Sequence, residues 1–259
     1  MSAAATKYLD YHATVRPMAA MDVEFAHGVT TGLHSHPRAQ LLYAIEGVMI
    51  VHAESGYWVV PPNRAVWLAA NEDHDVRMCG RVKIRTLYVD ADLSDELPSA
   101  SCVMTVSPLL RELLVAAVRI PRDYDPNSRD GRLLRLLLDE MQEHEVVPLH
   151  LPMPGNKKLQ SVCRAMMDNP DDTATAEEWA RRIGVTAKTL QRMFMRETGC
   201  SFAQWRRQAR LFHSLEMLAR GEKILSVAYE NGYASQSAFT AMFRKHFGTT
   251  PSSFFAAEE

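Results

Sequence analysis

Two stretches near the end of the chain, WARRIGVTAKTLQRMF (residues 179–194) and VAYENGYASQSAFTAMFR (residues 227–244), share one pattern. Each reads as a short helix, a turn at a glycine, a hydroxyl residue, and a second helix with one apolar face. The hydroxyl groups of Thr186 and Ser235 can each accept a hydrogen bond from a backbone N–H in the first turn of that second helix. The spacing therefore predicts two helix–turn–helix units.

The second helix of each predicted unit carries polar side chains opposite its apolar face. In such units this helix lies in the major groove of DNA and presents its first turns to the base edges. Arginine and glutamine have donors that match the edges of guanine and adenine, respectively. The residues that we expect to contact DNA are Lys188, Thr189, Gln191 and Arg192 in the first unit, and Gln236, Ser237 and Thr240 in the second. The competing interpretation is a solvated helix face, and it has more weight for the second set.

A further helix is predicted between the two units, from Ser201 to Ala219, because apolar residues recur there at helical spacing. At ~1.5 Å per residue this helix would be roughly 27 Å long. That length is close to the ~34 Å between successive major-groove faces of a duplex, so the two units could enter adjacent grooves. Arg206, Arg207 and Arg210 on this helix are candidates for contacts with backbone phosphates.

The two parts of the chain differ in charge although the whole carries only −2. Residues 1–154 hold 14 Lys and Arg against 20 Asp and Glu, a net charge of −6. Residues 155–259 hold 15 against 11, a net charge of +4. An acidic first part and a basic second part are expected when only the second part meets phosphate.

Composition restricts the class of protein. Of the 259 residues, 47% are hydrophobic and 23% are charged, which is typical of a soluble globular protein. No apolar run is long enough to span a membrane, and the N-terminus lacks the pattern of a signal peptide. The four cysteines are scattered, with no CxxC pair, which suits a reducing compartment. We therefore expect a cytoplasmic protein with no membrane partner.

The first part of the chain is predicted to be a β domain followed by helices. From about Val15 to Val89, short β-branched and aromatic segments alternate with turn residues, as in a sandwich or barrel. Helical periodicity begins after Ser107, and we expect its leucine stripes to pack in the core of this domain rather than at a dimer interface. The proline-rich segment 147–155 is the best linker in the chain.

The segment GVTTGLHSHPRAQ (residues 28–40), followed by Gly47, resembles the first motif of the cupins. Its residues His34, His36 and Gln40 lie at positions i, i+2 and i+6, so on an extended strand they project to the same face. The segment VWLAANEDH (residues 66–74) resembles the second cupin motif and adds His74. Three imidazoles and one amide oxygen could bind zinc, nickel or ferrous iron.

The chain departs from the metal-binding cupins at two points. Gln40 stands where those proteins usually have glutamate, which leaves the site with less negative charge, and the loop before His74 lacks the Pro-x-Gly of the second motif. Regulators with this type of domain often bind a small organic effector without a metal. Three interpretations therefore stay open: a divalent transition metal, an effector pocket without metal, and a structural histidine cluster.

Residues 155–256 resemble the AraC/XylS family of transcriptional regulators through the segments TLQRMF (residues 189–194) and FRKHFGTTP (residues 243–251) and the residues around them. Ala241 departs from the pattern, since some relatives carry an arginine there that touches DNA. The segments PRAQLLY (residues 37–43) and PPNRAVW (residues 61–67) resemble a branch of these regulators in which some members control neighbouring efflux genes. The positions that the resemblance implies as base contacts are Lys188, Gln191 and Arg192 in the first unit, and Gln236, Ser237 and Thr240 in the second.

The resemblance implies an α+β chain of two domains. A cupin-like β-barrel followed by helices comes first, and an all-α domain with two helix–turn–helix units joined by a long helix comes second. The expected boundaries are 1–104 for the sensing domain, 105–154 for a helical connector that could also mediate dimerisation, and 155–259 for the DNA-binding domain.

The leading hypothesis is a DNA-binding transcriptional regulator, an activator or a repressor, whose cupin domain senses a small molecule or a metal. It implies double-stranded DNA as a partner, a homodimer, RNA polymerase as a partner if the protein activates, and no catalytic residues. The alternative is a metal-dependent cupin enzyme with an appended DNA-binding module, because an open coordination position could support oxygen or hydrolytic chemistry. We favour the regulator because no separate general base accompanies the histidine motif.

Overall fold

The computed structural model describes residues 14–53, 56–62, 64–142, 146–147, 150–247 and 249–254. The chain divides into two compact units, one ending at His150 and the other continuing from Leu151. Antiparallel strands dominate the first unit, and helices make up most of the second. This arrangement confirms the predicted α+β class.

The strands are β1 (Met18–Phe25), β2 (Ala39–Ala53), β3 (Gly56–Val60), β4 (Arg64–Leu68), β5 (His74–Val89), β6 (Cys102–Thr105), β7 (Val146–Val147) and β8 (His150–Pro152). They pair in the order β1-β5-β2-β4-β6-β7, and β3 also pairs with β2. A short 3-10 helix, Ala91–Glu96, follows β5. Since β2 and β5 span 15 and 16 residues, their pairing forms the centre of the sheet.

A β-bulge interrupts the pairing of β2 with β5. The register shifts between Ala44 and Glu46 and again between Glu46 and Val48, and such shifts bend a strand. Gly47 lies in the bulge with φ of +80°, and a Cβ at this position would lie 2.3 Å from the carbonyl oxygen of Arg81. Only glycine fits here, because both the backbone angle and the close approach exclude a side chain.

Helices α1 (Pro108–Ala117) and α2 (Arg129–Gln142) share one hydrophobic core with the sheet. Their buried leucines are Leu110, Leu113, Leu114, Leu134, Leu137 and Leu138. The leucine stripes therefore pack within the first unit, as expected. Two further leucines stay outside this core, Leu109 at 48% exposure and Leu136 at 43%.

The two faces of the sheet have different roles. Leu41 and Leu87 are cross-strand partners on β2 and β5, and both belong to the core shared with α1 and α2. Successive side chains of a strand point to opposite faces. The preceding residues, Gln40 and Thr86, are therefore on the other face, where the amide of Gln40 donates to the hydroxyl of Thr86 at 2.9 Å.

The helices of the second unit are α3 (Lys157–Asp168), α4 (Ala176–Arg182), α5 (Ala187–Thr198), α6 (Phe202–Ala219), α7 (Ile224–Glu230), α8 (Gln236–Phe247) and α9 (Pro251–Phe254). They include both predicted helix–turn–helix units, formed by α4 with α5 and by α7 with α8. The predicted caps also form, since Thr186 accepts from the N–H of Thr189 and Ser235 from that of Ala238. Among the described residues, no helix combines the length and apolar character that a bilayer span requires.

Candidate nucleic-acid interface and metal centre

The outward face of α5 carries three long polar side chains. Lys188, Gln191 and Arg192 are exposed, whereas Leu190 and Phe194 on the opposite face are fully buried. The buried pair fixes the rotation of the helix, so the three polar residues stand together in solvent. Two cationic groups and one amide on the first turns of a helix suit both phosphates and purine edges.

Thr189 differs from the other predicted residues of α5. Its side chain is half-buried, and its hydroxyl lies 3.0 Å from the hydroxyl of Thr186, the residue that caps the helix. The hydroxyl of Thr189 therefore already has a partner in the cap.

The outward face of α8 borders an open depression. Gln236, Ser237 and Thr240, which were predicted from the sequence, all line it. Four further residues line it that were not predicted as base contacts, namely Ala241, Arg244, Lys245 and Thr250. Arg244 could have been found by spacing, since it lies one helical turn after Thr240.

Two arginines of the long helix α6 do not serve the role expected of them. Arg206 donates to the carbonyl oxygen of Ala174 at 2.7 Å. Arg210 donates to the carbonyl oxygens of Pro170 and Asp172, at 2.6 and 3.0 Å. These guanidinium groups hold the loop before α4 against α6, so the structure replaces the predicted phosphate contacts with internal ones. Arg207 alone of the three is exposed.

In the first unit, the sheet brings three histidines together. His34 and His74 are cross-strand partners, with the N–H of each donating to the carbonyl oxygen of the other, at 3.0 and 2.8 Å. His36 follows two residues after His34, and its ring centroid lies 5.0 Å from that of His74. One nitrogen from each of the three rings lies within 4.8 Å of the others. The structure therefore groups the three imidazoles that the two motifs predict.

Each imidazole is oriented by a backbone carbonyl group. A carbonyl oxygen can only accept a hydrogen bond, so in a neutral ring Nδ1 carries the proton and Nε2 carries the lone pair. The Nδ1 to oxygen distances are 2.8 Å from His34 to Gly32, 2.5 Å from His36 to Arg38, and 2.8 Å from His74 to Glu72. Hydrogen bonding of this kind is typical of histidines that bind a metal through the other nitrogen.

Gln40 lies against this cluster, on the buried side. Its Oε1 is 3.0 Å from Nε2 of His36, and its amide nitrogen donates to Thr86. With the proton of His36 on Nδ1, Nε2 of His36 and Oε1 of Gln40 are both acceptors. Their separation is that expected of two ligands of one metal ion. Two donor atoms bound at ~2.1 Å to one ion in a right-angled arrangement would be about 3.0 Å apart. Within the described chain, Nε2 of His74 is buried and has no hydrogen-bond partner. This donor set fits a borderline transition metal.

Burial favours the neutral form of His36 and His74. It lowers the pKa of His36, and the hydrogen bonds that the charged ring would donate to Gln40 and Arg38 oppose this effect. Burial, with a smaller contribution from His34 and His36, lowers the pKa of His74 to about 4, although a hydrogen bond to the backbone of Glu72 opposes this shift. Neutral imidazole is the form that binds a metal. At neutral pH His36 and His74 are therefore ready to act as ligands.

Comparison with known proteins gives matches to both units. The model of an AraC-like ligand binding domain matches residues 20–152, and that of a helix-turn-helix domain matches residues 179–257. The chain is 30% identical over 228 residues to the HTH-type transcriptional regulator NimR of Escherichia coli K12, and the match covers 88% of this chain and 83% of that protein.

Two further comparisons cover different shares of the chain. The HTH-type transcriptional regulator RipA of Corynebacterium glutamicum is 41% identical over 103 residues, which are 40% of this chain and 31% of RipA. The structure of ToxT from Vibrio cholerae with bound unsaturated fatty acid aligns with 95% of this chain and 99% of its own, with 12% identity and a TM-score of 0.40.

The match to the ligand-binding domain extends over half of the chain, and the match to NimR extends over most of it. Both parts of the molecule therefore correspond to one type of protein. The chain belongs to the AraC family of transcriptional regulators, with an AraC-like ligand-binding domain followed by a helix-turn-helix domain that binds DNA.

Proposed function

We propose that this regulator reads promoter DNA with the outward faces of α5 and α8, and that its histidine site holds a divalent transition metal to which a small-molecule effector binds. The protein would act in the cytoplasm as a homodimer, and would contact RNA polymerase where it activates. The observation that carries the sensing half is the convergence of one ring nitrogen from each of three histidines, whose Nδ1 atoms all lie against backbone carbonyl oxygens.

The charge of the second unit supports the DNA half of the proposal. Lys188 and Arg192 are exposed on α5, and Arg244 and Lys245 are exposed on α8. Cations on both helices would neutralise phosphates, so we expect affinity for DNA to fall steeply as salt rises. Measurement of the dissociation constant at several salt concentrations tests this, and a flat response would contradict it.

In the sensing half, His34, His36 and His74 would hold the metal, with Gln40 as a weaker oxygen ligand. When bound, the metal would supply an open coordination position for a donor atom of the effector. An effector changes the DNA-binding state only if it binds the two states with different affinity. The effector would therefore need contacts beyond the metal itself.

We propose that the site does not catalyse a reaction. Three carboxylates lie within two residues of His74 in the sequence, those of Glu72, Asp73 and Asp75, and two of them are engaged elsewhere. Glu72 accepts from the hydroxyl of Ser101, and Asp75 accepts from the hydroxyl of Thr30. Glu72 and Asp75 are therefore not available as the general base that the enzyme alternative would need, and the side chain of Asp73 is exposed to solvent.

Metal content of the purified, untagged chain tests the proposal. We expect nearly one equivalent of metal in the unaltered protein and in the control variant His27→Ala, since His27 is exposed and lies outside the cluster. His36→Ala and His74→Ala should lose the metal while keeping a cooperative unfolding transition. Absence of metal after reconstitution with zinc, nickel and ferrous iron would contradict the proposal. It would favour a structural cluster in which the Gln40 amide turns to donate to His36.

A further inference from the structure

The central part of α8 presents small side chains to solvent. Ser237, Thr240 and Ala241 share the face opposite Phe239 and Phe243, which are both fully buried. The three lie at spacings of three and four residues, so they form one patch on the helix surface. Because the two phenylalanines hold the rotation of α8, this patch faces outward.

The long side chains of this face stand at its two ends. Gln236 begins the helix, while Arg244 and Lys245 lie in its last turn. The distance from Ala241 to Arg244 along the axis is about 4.5 Å, at ~1.5 Å per residue. The cations can therefore reach the phosphates that flank the groove while the small patch lies against the bases.

The corresponding face of α5 is built differently. Lys188, Gln191 and Arg192 extend hydrogen-bond donors several bonds beyond the helix, as reading the edges of guanine and adenine requires. Ala241 offers only a methyl group, and Thr240 offers a methyl group beside its hydroxyl. The one apolar group that a base edge presents in the major groove is the 5-methyl group of thymine.

We infer that α8 recognises thymine through contact of its 5-methyl group with Ala241 and Thr240, whereas α5 recognises purines by hydrogen bonding. This inference rests on the proposed DNA interface and assigns a base preference to each half of it. The DNA site would accordingly contain a half-site in which thymine is preferred because of its methyl group.

Deoxyuridine provides the test, because it pairs like thymine and lacks only the methyl group. A duplex is first selected from a random pool by the full chain, and each thymine is then replaced in turn by deoxyuridine. At one or two positions of the α8 half-site we expect about fourfold weaker binding, the effect of leaving roughly one methyl group unburied. Thymines in the α5 half-site should tolerate the replacement.

Variants connect the effect to α8. The Ala241→Gly variant should bind the thymine duplex with the same affinity as the duplex that carries deoxyuridine at one of these positions. Ala241→Ser should behave in the same way without loosening the helix. Thr240→Ser should act at the second position. As a control, Gln191→Ala on α5 should weaken binding to both duplexes and keep their ratio unchanged.

Two results would overturn the inference. One is that the unaltered chain binds every deoxyuridine duplex as tightly as the thymine duplex. The other is that the weaker binding to deoxyuridine persists in all variants of Ala241 and Thr240. Failure of the proposed interface has a different outcome. In that case the unaltered chain enriches no duplex, or Gln191→Ala and Arg192→Ala leave its affinity unchanged.

Discussion

At the scale of single residues, the sequence predicted which groups meet but not how they are held. Resemblance to the two cupin motifs identified His34, His36 and His74, although His34 and His36 lie before β2 and not on a continuous strand as expected. The carbonyl groups that orient their rings depend on the path of the loops, which spacing does not describe. Arg206 and Arg210 show the opposite error. Helical periodicity put them on an outer face, and a loop distant in sequence covers them.

Arg192 provides the sharpest test of the DNA interface. Arg192→Ala should weaken binding to the cognate site by about 1–3 kcal/mol, the usual cost of losing a bidentate arginine–base contact. The control is Arg196→Ala, since Arg196 lies on the same helix but pairs with Glu197 at 2.6 Å. Titration of both variants against the same duplex checks this. Equal losses for the two would contradict a specific role for Arg192.

His74 should make the metal-free protein sensitive to acid. Its pKa is about 4 in the folded chain against an ordinary value of 6.5, so the unfolded chain binds the proton more tightly. The stability from the neutral, buried ring is complete above pH 6.5 and is lost as the pH falls towards 4, by roughly 3 kcal/mol. Urea unfolding of the chelator-treated chain from pH 7 to 4.5 measures this loss. A His74→Gln variant should show a clearly shallower decline, and an unchanged one would refute the assignment.

At the scale of elements, the helix–turn–helix units were predictable because their determinants are local. The turn residues Gly184 and Gly232 have φ of +72° and +76°, and the capping hydroxyls follow each turn within three residues. Short strands were also predictable from composition. The pairing order of the sheet was not, since it joins segments far apart in the chain. Packing of the leucine stripes within the first unit was predicted, but the strands that they contact were not.

The bulge between β2 and β5 should tolerate no side chain. Gly47→Ala places a methyl group against the carbonyl of Arg81 in a left-handed conformation, and should lower the free energy of unfolding by about 2–4 kcal/mol. Gly28→Ala is the matched control, because Gly28 has φ of +78° and nothing within 4 Å of the added Cβ. Gly28→Ala should lower the free energy of unfolding only through the strained backbone angle, by roughly 1 kcal/mol. Denaturant unfolding of both variants separates the clash from the backbone strain.

At the scale of the whole molecule, we expect a homodimer formed through the outer surface of α1 and α2. Leu109 and Leu136 are exposed there, beside a core that contains or contacts the other leucines of both helices. Leu136→Glu should raise the dimer dissociation constant at least about tenfold, since a charge buried in such an interface costs more than 1.4 kcal/mol. Sedimentation over a concentration series measures this. Leu225→Glu, at a leucine of similar exposure in the second unit, should leave the association unchanged.

Gln40 and Thr86 face the histidine site, and the adjacent residues Leu41 and Leu87 face α1 and α2. A single layer of strands therefore separates the site from these helices. Any ligand that pulls Gln40 or Thr86 also displaces the backbone atoms they share with Leu41 and Leu87. A close-packed interior has little free volume to absorb such a shift. If α1 and α2 mediate dimerisation as proposed, a single layer of sheet separates a ligand at the histidine site from the dimer interface.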